Sequence, residues 1–289
     1  MIDDPSWGFA MSAPVDGFRL RYVRRGPGLP VALLHGWPGS WWDQYRVLER
    51  LQDDFDVVVP DLRGFGGSDR HDADPRTAYS ADAQAASVLG LLDELGMERV
   101  VLSGYDVGSR VAQAIARREP DRIAALAIAP PFASFGHRPT SREAQHEFWY
   151  QHFHRLALSE ELLDGNLPAV RAYLGHFWHH WGGARDVLAP EELDALAAAY
   201  ARPGAFRSSI AWYRAGAGAT SQPAVPAHPP LRQPVIALCG TRDPLFSADW
   251  NDRLDLDFER FELRMLEDVA HFTPLEAPDA VAQAIRDLS

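Results

Sequence analysis

The sequence predicts an α/β fold in which a mostly parallel β-sheet carries helices on both faces and is interrupted by a helical cap. Two observations support this prediction. From about residue 18 to residue 131, short apolar runs alternate with stretches of helical period, as is typical of such a sheet. Over 132–232 strand-like runs stop, and strand texture returns over 233–289. We therefore expect a core formed by 1–131 and 233–289 and a cap formed by 132–232.

The first part of the core is predicted from apolar runs and one clear helical period. Between 81 and 95, apolar residues recur at i, i+3, i+4, i+7 and i+10 behind Ser80, a residue type that caps helices, which indicates an amphipathic helix. Residues 107–118 follow a strand after a very short turn and are predicted as the next helix. The predicted strands are 31–34, 55–60, 99–103 and 123–129.

The cap is predicted from helical segments rich in aromatic residues and histidines, such as EFWYQHF and AYLGHFWHHW. Five prolines within 221–234 cannot continue a helix and indicate an extended linker at the end of the cap. Beyond the linker we expect a strand at 235–239, a helix near 247–254, an apolar stretch at 261–266 and a terminal helix near 278–288.

Composition and charge exclude several classes of protein. The 289 residues include 28 basic and 40 acidic side chains, which gives a net charge of −12, and every basic residue is an arginine. Without lysine, Schiff-base chemistry and a P-loop are excluded. The single cysteine, Cys239, excludes an internal disulfide, a CxxC motif and a cysteine-rich zinc site.

The same composition bears on partners and location. The acidic balance argues against nucleic acid or an anionic membrane as the main partner, because both favour a basic patch. The longest apolar runs fall far short of the roughly 20 residues that a membrane span needs. The acidic start, MIDDPSWGFA, lacks an apolar leader. We expect a soluble, cytoplasmic protein, and the sequence leaves its oligomeric state open.

Residues 104–109 read Gly-Tyr-Asp-Val-Gly-Ser and place small residues around Asp106 where a strand meets a helix. This is the form of a nucleophile elbow, with aspartate in place of the usual serine. The helix N-terminus would favour the carboxylate and any oxyanion that forms from it. A plain helix-capping aspartate is the alternative interpretation.

Five motifs follow one another along the chain in an order that one enzyme family shares. They are HGWPGS at 35–40, DLRGFGGSD at 61–69, the elbow, Asp243 in GTRDP and His271 in VAHFTPLEAPDAV. Together they resemble the α/β-hydrolase family over essentially the whole chain, which implies Asp106 as nucleophile, Asp243 as orienting acid and His271 as base. Some relatives carry the acid earlier, but 122–142 contains no Asp or Glu. A surface histidine is the alternative for His271.

An aspartate nucleophile favours substrates that are opened at an alkyl carbon. A serine attacking an sp³ carbon would leave an ether that water cannot readily cleave, whereas a carboxylate leaves an ester that activated water can hydrolyse. In this family such substrates are epoxides or carbon–halogen bonds, and His271 acts on the water. The resemblance assigns the N–H donors for the tetrahedral intermediate to the backbone of Trp37 and Val107.

The leaving atom separates these two substrate classes, because an opening epoxide needs O–H donors and a departing halide needs N–H donors. Epoxide hydrolases of this fold carry two cap tyrosines for this purpose. Tyr150 and Tyr213 resemble them, lying 44 and 107 residues after Asp106. The HGxP motif also resembles theirs, so the resemblance implies a cofactor-independent epoxide hydrolase that converts a small-molecule epoxide and water to a vicinal diol.

Other aromatic residues of the cap leave alternatives open. If Tyr150 and Tyr213 only pack, a neighbouring tryptophan faces the pocket instead, or Tyr173 and Tyr200 take over their role. The abundance of tryptophan and phenylalanine favours a bulky or aromatic substrate. The expected substrate-binding residues are His35, Pro38, Trp149, Trp178 and Trp212.

Two rival functions share most of these residues. The first is a dehalogenase, although haloalkane dehalogenases typically carry tryptophan where this chain has Val107. Fluoroacetate dehalogenases place arginines one and four residues after the nucleophile, and here only Arg110 remains. The second is a catalytically silent receptor of the same fold. The elbow departs from the common His-Asp-Trp of epoxide hydrolases, which puts the size of the substrate in doubt.

The cap histidines raise the possibility of a metal site. His176 and His180 are spaced i, i+4, and His152 and His154 lie near them in sequence. No HExxH pattern occurs, and no carboxylate stands at ligand spacing beside them. We therefore expect no metal and no cofactor.

Overall fold

The computed structural model describes residues 2–183 and 185–289. Its strands in chain order are β1 (Ala10–Met11), β2 (Arg21–Arg25), β3 (Leu29–Leu34), β4 (Phe55–Pro60), β5 (Val100–Gly104), β6 (Ile123–Ile128), β7 (Leu231–Gly240) and β8 (Phe258–Leu266). They form one sheet in the order β1-β2-β4-β3-β5-β6-β7-β8. The pairs β1–β2 and β2–β4 are antiparallel, and the other pairs are parallel. The prediction of a mostly parallel sheet is confirmed.

The central strands are buried on both faces, which explains their continuous apolar runs. Every residue of β5 is buried, whereas most of β8, at the edge of the sheet, is exposed. β7 begins at Leu231 and not at 235, because the end of the proline-rich segment already pairs with β8. The sequence did not predict β1 and β2, which are short or rich in arginine.

The helices of the core are α1 (Tyr45–Leu51), α2 (Pro75–Ala78), α3 (Ala81–Glu94), α4 (Val107–Arg118), α10 (Thr273–Glu276) and α11 (Pro278–Asp287). The predictions for α3, α4 and α11 are confirmed to within one residue. Ser80 caps α3 as expected, since its hydroxyl accepts a hydrogen bond from Ala83 N at 3.2 Å. The helix expected near 247–254 is instead a kinked 3₁₀ stretch, Ala248–Leu256, with non-helical backbone angles at Arg253.

Five further helices lie between β6 and β7, in the region predicted as the cap: α5 (Gln145–Phe153), α6 (Ala157–Leu163), α7 (Leu167–Trp181), α8 (Pro190–Tyr200) and α9 (Ala205–Arg214). α7 buries one side through Val170, Leu174, Phe177, Trp178 and Trp181. The cap boundaries at 132 and 232 stay a prediction. No helix in the described part of the chain is both long and apolar enough to cross a membrane.

The sheet brings distant segments of the chain to one edge. The parallel strands β3, β5, β7 and β8 all end there, and ligand sites of open α/β sheets lie outside the carboxyl ends of such strands. His35 directly follows β3, Asp106 follows β5, Asp243 follows β7 and His271 follows β8. The motifs that the sequence singled out therefore lie on neighbouring loops.

Candidate active site

The elbow between β5 and α4 lifts Asp106 above the sheet. Asp106 has φ 49° and ψ −118°, a backbone conformation that non-glycine residues rarely adopt. Its amide donates to Pro130 O at 2.8 Å. A Cβ on Gly104 would lie 2.6 Å from the backbone carbon of Gly108, and one on Gly108 would overlap Leu34 O. The small residues of the motif are therefore required by close packing of the turn.

His271 lies between two carboxylates. Its Nδ1 is 3.1 Å from Asp243 Oδ2, and its Nε2 is 3.9 Å from Asp106 Oδ2. Within 2–183 and 185–289, Nε2 has no hydrogen-bond partner. Asp243 is itself oriented, because its Oδ1 accepts from Leu245 N at 2.8 Å. The structure thus brings together the three side chains that the motifs predicted.

Burial and neighbouring charges shift the pKa values of His271 and Asp106. Burial lowers the pKa of His271, but Asp243, Asp106 and Glu276 outweigh it, so the pKa of His271 lies above its ordinary value of 6.5. Burial raises the pKa of Asp106 above its ordinary value, although His271 and the amides of Trp37 and Val107 oppose the shift. An ionised pair of Asp106 and His271 is favoured by their mutual attraction.

Two backbone amides face the Asp106 carboxylate. Trp37 N donates to Asp106 Oδ1 at 2.7 Å, and Val107 N also hydrogen bonds to this side chain. The His35 ring holds the loop that carries Trp37. Its Nε2 accepts from Leu62 N at 3.0 Å, so the proton is on Nδ1, which donates to Gly36 O at 2.8 Å. Because both ring nitrogens bond to the backbone, His35 shapes this loop and has no free polar atom for a substrate.

Tyr150 and Tyr213 lie beside Asp106. Both phenols are buried, and their rings are 5.5 Å apart at 87°. Tyr150 Oη accepts from Gln151 Nε2 at 3.0 Å, and Tyr213 Oη has no well-formed hydrogen bond to any described residue. Burial raises the pKa of both tyrosines well above 10, and the charge of Asp106 raises both further. Both phenols are therefore neutral, and their protons can turn toward a bound oxygen.

The two substitute tyrosines already have other partners. Tyr173 Oη is 3.0 Å from His154 Nε2, and Tyr200 Oη donates to Gly39 O at 2.8 Å. Of the four candidates, only Tyr150 and Tyr213 combine proximity to Asp106 with a proton that is free to donate.

The predicted substrate-binding aromatics have three different environments. Trp212 lines a cavity of about 10 Å³ beside Asp106 and Tyr213, which is about the size of one water. Trp178 donates from Nε1 to Pro38 O at 3.1 Å and stacks on Phe272 at 3.8 Å. Trp149 is 41% exposed and stacks on Phe177, so the structure does not bring it to the carboxylate.

Arg110 lines the small cavity beside Asp106, and the cap histidine His154 packs against Trp37 and Tyr213, whereas His180 lies at the surface. Burial and the charge of Arg117 together lower the pKa of Arg110 to about 10, although Asp257 opposes the shift. His180 Nε2 is 2.8 Å from Glu147 Oε2 at the surface. Among the residues that the structure describes, no cluster of three or more His, Cys, Asp or Glu side chains could hold a metal ion.

Sequence reasoning missed one buried pair below the elbow. Tyr105 Oη donates to Asp43 Oδ2 at 2.6 Å, and both side chains are 1% exposed. Two features of the sequence point to this pair: tyrosine stands where histidine is common at the elbow, and Asp43 is the one acid in the aromatic-rich run Trp-Trp-Asp-Gln-Tyr. Neither feature shows that the two residues meet, because 62 residues separate them.

The chain matches a known protein family. A family model for the alpha/beta hydrolase fold matches residues 30–278. This chain belongs to the α/β-hydrolase family. The family assignment agrees with the elbow, the loop of Trp37 and the Asp243–His271 pair, which all lie at the carboxyl edge of the sheet.

Several relatives of this α/β-hydrolase have names that state an activity. This chain is 30% identical over 275 residues to the soluble epoxide hydrolase of Corynebacterium sp. (strain C12), and the match covers 93% of each chain. The solved structure of epoxide hydrolase CorEH without ligand superimposes with a TM-score of 0.83 at 26% identity, covering 97% of each chain. The fluoroacetate dehalogenase of Burkholderia sp is 32% identical over 196 residues, 66% of this chain and 64% of that protein.

Proposed function

We propose that this α/β-hydrolase is a cofactor-independent epoxide hydrolase that converts an epoxide to a vicinal diol through an ester on Asp106. The observation that carries the proposal is the pair of buried, neutral phenols, Tyr150 and Tyr213, beside the Asp106 carboxylate. Two O–H donors suit an oxygen that leaves a carbon but stays attached to the product. The epoxide hydrolases among its relatives support the same conclusion.

The first half-reaction opens the epoxide ring. Asp106 Oδ1 is held by Trp37 N, which leaves Oδ2 to attack an epoxide carbon. The new C–O bond forms as the ring C–O bond breaks, and the ring oxygen takes a proton from Tyr150 or Tyr213. The product of this step is an alkyl ester of Asp106 with a neighbouring hydroxyl group.

The second half-reaction hydrolyses the ester. His271 Nε2 takes a proton from water as the water oxygen attacks the carbonyl carbon of Asp106, and Asp243 stabilises the imidazolium. The negative charge then develops on Oδ1, where the amides of Trp37 and Val107 already donate. Collapse releases the alcohol with Oδ2, protonated by His271, and the water oxygen stays on Asp106; the second proton of the water returns to the phenolate, which restores the tyrosine and the Asp106 carboxylate.

Two finer points belong to the proposal. The ring cluster around Trp37, which includes Tyr150, Phe177 and Trp181, supports a bulky or aromatic substrate. The one cysteine, Cys239, is a free thiol, which suits a reducing compartment, so we propose a cytoplasmic location.

A His271→Gln variant tests the proposal directly. With an aromatic epoxide, we expect it to accumulate an adduct of substrate mass on Asp106, whereas the wild type releases diol. A single turnover of the wild type in H₂¹⁸O should place the label on Asp106 and not in the diol. If the wild type forms diol but the variant carries no adduct, the ester route is wrong; if neither gives diol or adduct, a silent receptor is favoured.

One observation favours dehalogenation as a second candidate. The indole N–H of Trp37 is buried and has no hydrogen-bond partner in the described part of the chain. Such a donor suits a departing halide, and a fluoroacetate dehalogenase is among the relatives. A matched panel of epoxides, haloalkanes and haloacids separates the candidates, since halide release without diol formation would replace the epoxide proposal.

A further inference from the structure

The two backbone donors that face Asp106 come from different parts of the chain. Trp37 belongs to the loop after β3, here called the oxyanion loop (35–40), and Val107 begins α4. The oxyanion loop has no regular hydrogen bonding of its own beyond a single turn, Gly39 N to Gly36 O at 3.2 Å. In the proposed mechanism the oxyanion on Asp106 Oδ1 needs both amides at a fixed separation, and the His35 ring, which bonds to Gly36 O and Leu62 N, anchors only the start of the loop.

The buried pair of Asp43 and Tyr105 lies between these two segments. Tyr105 directly precedes Asp106, and its phenol donates to Asp43 Oδ2 at 2.6 Å. Asp43 Oδ1 accepts from Ser40 N of the oxyanion loop at 3.3 Å, and the amide of Gly36 also hydrogen bonds to this carboxyl. One carboxyl group therefore binds both ends of the loop and the side chain next to Asp106.

The loop lies directly on this pair because it has glycine at the two contact points. A Cβ on Gly36 would be 2.8 Å from Tyr105 Cζ and 2.9 Å from Asp106 Cβ. A Cβ on Gly39 would overlap the carboxyl of Asp43. Close approach of the loop backbone to the phenol and the carboxyl is thus part of how the site is built.

We propose that Asp43 and Tyr105 are positioning residues, whose hydrogen bond keeps the amides of Trp37 and Val107 in register for the oxyanion of the ester intermediate. The proposal rests on the function proposed above. Ester hydrolysis depends on the relative position of these two amides more than ring opening does, because the oxyanion forms on Asp106 Oδ1 in the second half-reaction. The pair acts through the loop and touches no reacting atom.

The pKa of Asp43 makes the strength of its hydrogen bond with Tyr105 depend on pH. Burial, together with the charge of Asp61, raises the pKa of Asp43 to about 7, against the hydrogen bonds from Tyr105 and the loop amides. Tyr200 is the other titratable group that senses this carboxyl, since Asp43 helps to raise its pKa. Above about pH 7 the phenol donates to a carboxylate, and below it to a neutral acid, which accepts a weaker hydrogen bond.

Tyr105→Phe and Asp43→Asn test the proposal with little change of shape, because the first removes the phenol donor and the second replaces one carboxyl oxygen by an NH2 group, so that residue 43 can no longer accept from both Tyr105 and the loop amides. We expect each to slow ester hydrolysis by about tenfold or more, since losing one oxyanion donor outright costs roughly 10²–10³-fold. Ring opening should change by less than about threefold, so the ester accumulates on Asp106, and the double variant should be no slower than either single variant. Single-turnover mass spectrometry measures both steps. Hydrolysis at the wild-type rate in Tyr105→Phe overturns the proposal.

Tyr79→Phe is the matched control for lost stability. Tyr79 is buried to a similar degree, and its hydroxyl donates to His71 O at 2.8 Å, away from the oxyanion loop. We expect this variant to unfold as readily as Tyr105→Phe while its ester turns over normally. If both variants accumulate ester, the effect is general loosening and the positioning role is wrong.

A measurement on the free protein separates this inference from the proposed function. In His271→Gln, which removes the nearby imidazole, the Trp37 amide resonance should show a titration near pH 7 that disappears once Asp43→Asn is added, while any titration of Asp106, which accepts from this amide, is present in both variants. A wild type without epoxide activity would refute the proposed function, and the amide titration would still report whether the pair controls the loop. A Trp37 amide unaffected by Asp43→Asn refutes that control.

Discussion

Asp106 has one oxygen restrained and one oxygen free, and this asymmetry organises the chemistry. Oδ1 accepts from Trp37 N at 2.7 Å, while Oδ2 faces His271 Nε2 at 3.9 Å. In the proposed mechanism the restrained oxygen is already where the oxyanion forms, so ester hydrolysis would need little reorganisation. The hydrogen bonds of individual tyrosines also determine which phenol can donate a proton, because a phenol that is already bonded elsewhere must first break that bond.

Removing one phenol hydroxyl should slow ring opening alone. We expect Tyr150→Phe and Tyr213→Phe each to lower that rate by about 10²-fold, since a positioned general acid contributes roughly 10²–10⁴-fold. Hydrolysis of a preformed ester should stay unchanged, and burst kinetics resolve the two steps. Tyr173→Phe is the control, because its hydroxyl pairs with His154. An equal loss of ring opening in Tyr173→Phe would contradict the assignment.

The pH dependence should reflect the environment of His271. Its pKa lies above 6.5 in the free enzyme, because Asp243 and Asp106 together outweigh the effect of burial. Ester hydrolysis needs the neutral imidazole, so its rate should rise with pH through the pKa of His271 in the intermediate. Forming the ester removes the charge of Asp106, so that pKa should be lower than in the free enzyme. NMR titration gives the pKa of His271 in the free enzyme, and the pH profile of single-turnover hydrolysis gives its pKa in the intermediate. Equality of the two pKa values would contradict this prediction.

At the scale of elements, the turn between β5 and α4 combines a strained residue with two tightly packed glycines. Helix α4 approaches the end of β3 so closely that a Cβ on Gly108 would overlap Leu34 O. This contact fixes the position of the helix N-terminus, and with it the amide of Val107. The elbow is therefore a packing requirement as well as a chemical motif.

Gly108→Ala should destabilise the fold. We expect a loss of about 1–3 kcal/mol or more in the free energy of unfolding, since overpacking against backbone cannot be relieved by a rotamer change. Gly175→Ala in α7 is the matched control, because its Cβ would meet only Leu193 Cδ2 at 3.4 Å. This control should be neutral or more stable by about 0.5–1 kcal/mol, through higher helix propensity. Urea denaturation measures both, and a Gly108→Ala protein of wild-type stability would contradict the steric argument.

At the scale of the whole molecule, the cap closes over the core. Trp178 and Tyr200 donate to carbonyls of the oxyanion loop, and Trp42 Nε1 donates to Glu192 Oε1 of α8 at 3.1 Å. The cavity beside Asp106, about 10 Å³, has room for about one water and not for an epoxide. We therefore expect the cap to move relative to the core when an epoxide enters.

Weakening one cap–core contact away from the site should ease entry of large substrates. Glu192→Ala removes the bond to Trp42, and also the bond from Ala189 N that caps α8, without touching the oxyanion loop, so we expect kcat/KM to rise for bulky epoxides relative to small ones. Hydrogen exchange should also become faster in α8. Glu191→Ala, a change at the exposed neighbouring residue, is the control. An unchanged ratio of kcat/KM values, together with faster exchange, would mean that the cap does not limit entry.

The sequence by itself determined the features that depend on local pattern. The core strands, α3, α4 and the elbow follow from apolar periodicity and small residues, which act over a few positions. Motif order added Asp243 and His271, and the structure brings both to Asp106. Local pattern was less informative at two places. The helix predicted near 247–254 is a kinked 3₁₀ stretch, and β2 was not predicted because it is rich in arginine.

Only the tertiary structure decided which side chains are free to act. Tyr173 and Tyr200 bond to His154 and Gly39, whereas the Tyr150 hydroxyl accepts from Gln151 and the Tyr213 hydroxyl has no partner in the described part of the chain, and no spacing rule contains those partners. The bond between Asp43 and Tyr105 likewise joins residues 62 positions apart. The physical reason is that a side chain's hydrogen bonds and burial depend on chain segments that meet only when the sheet and cap assemble, whereas periodicity and motifs record only near neighbours.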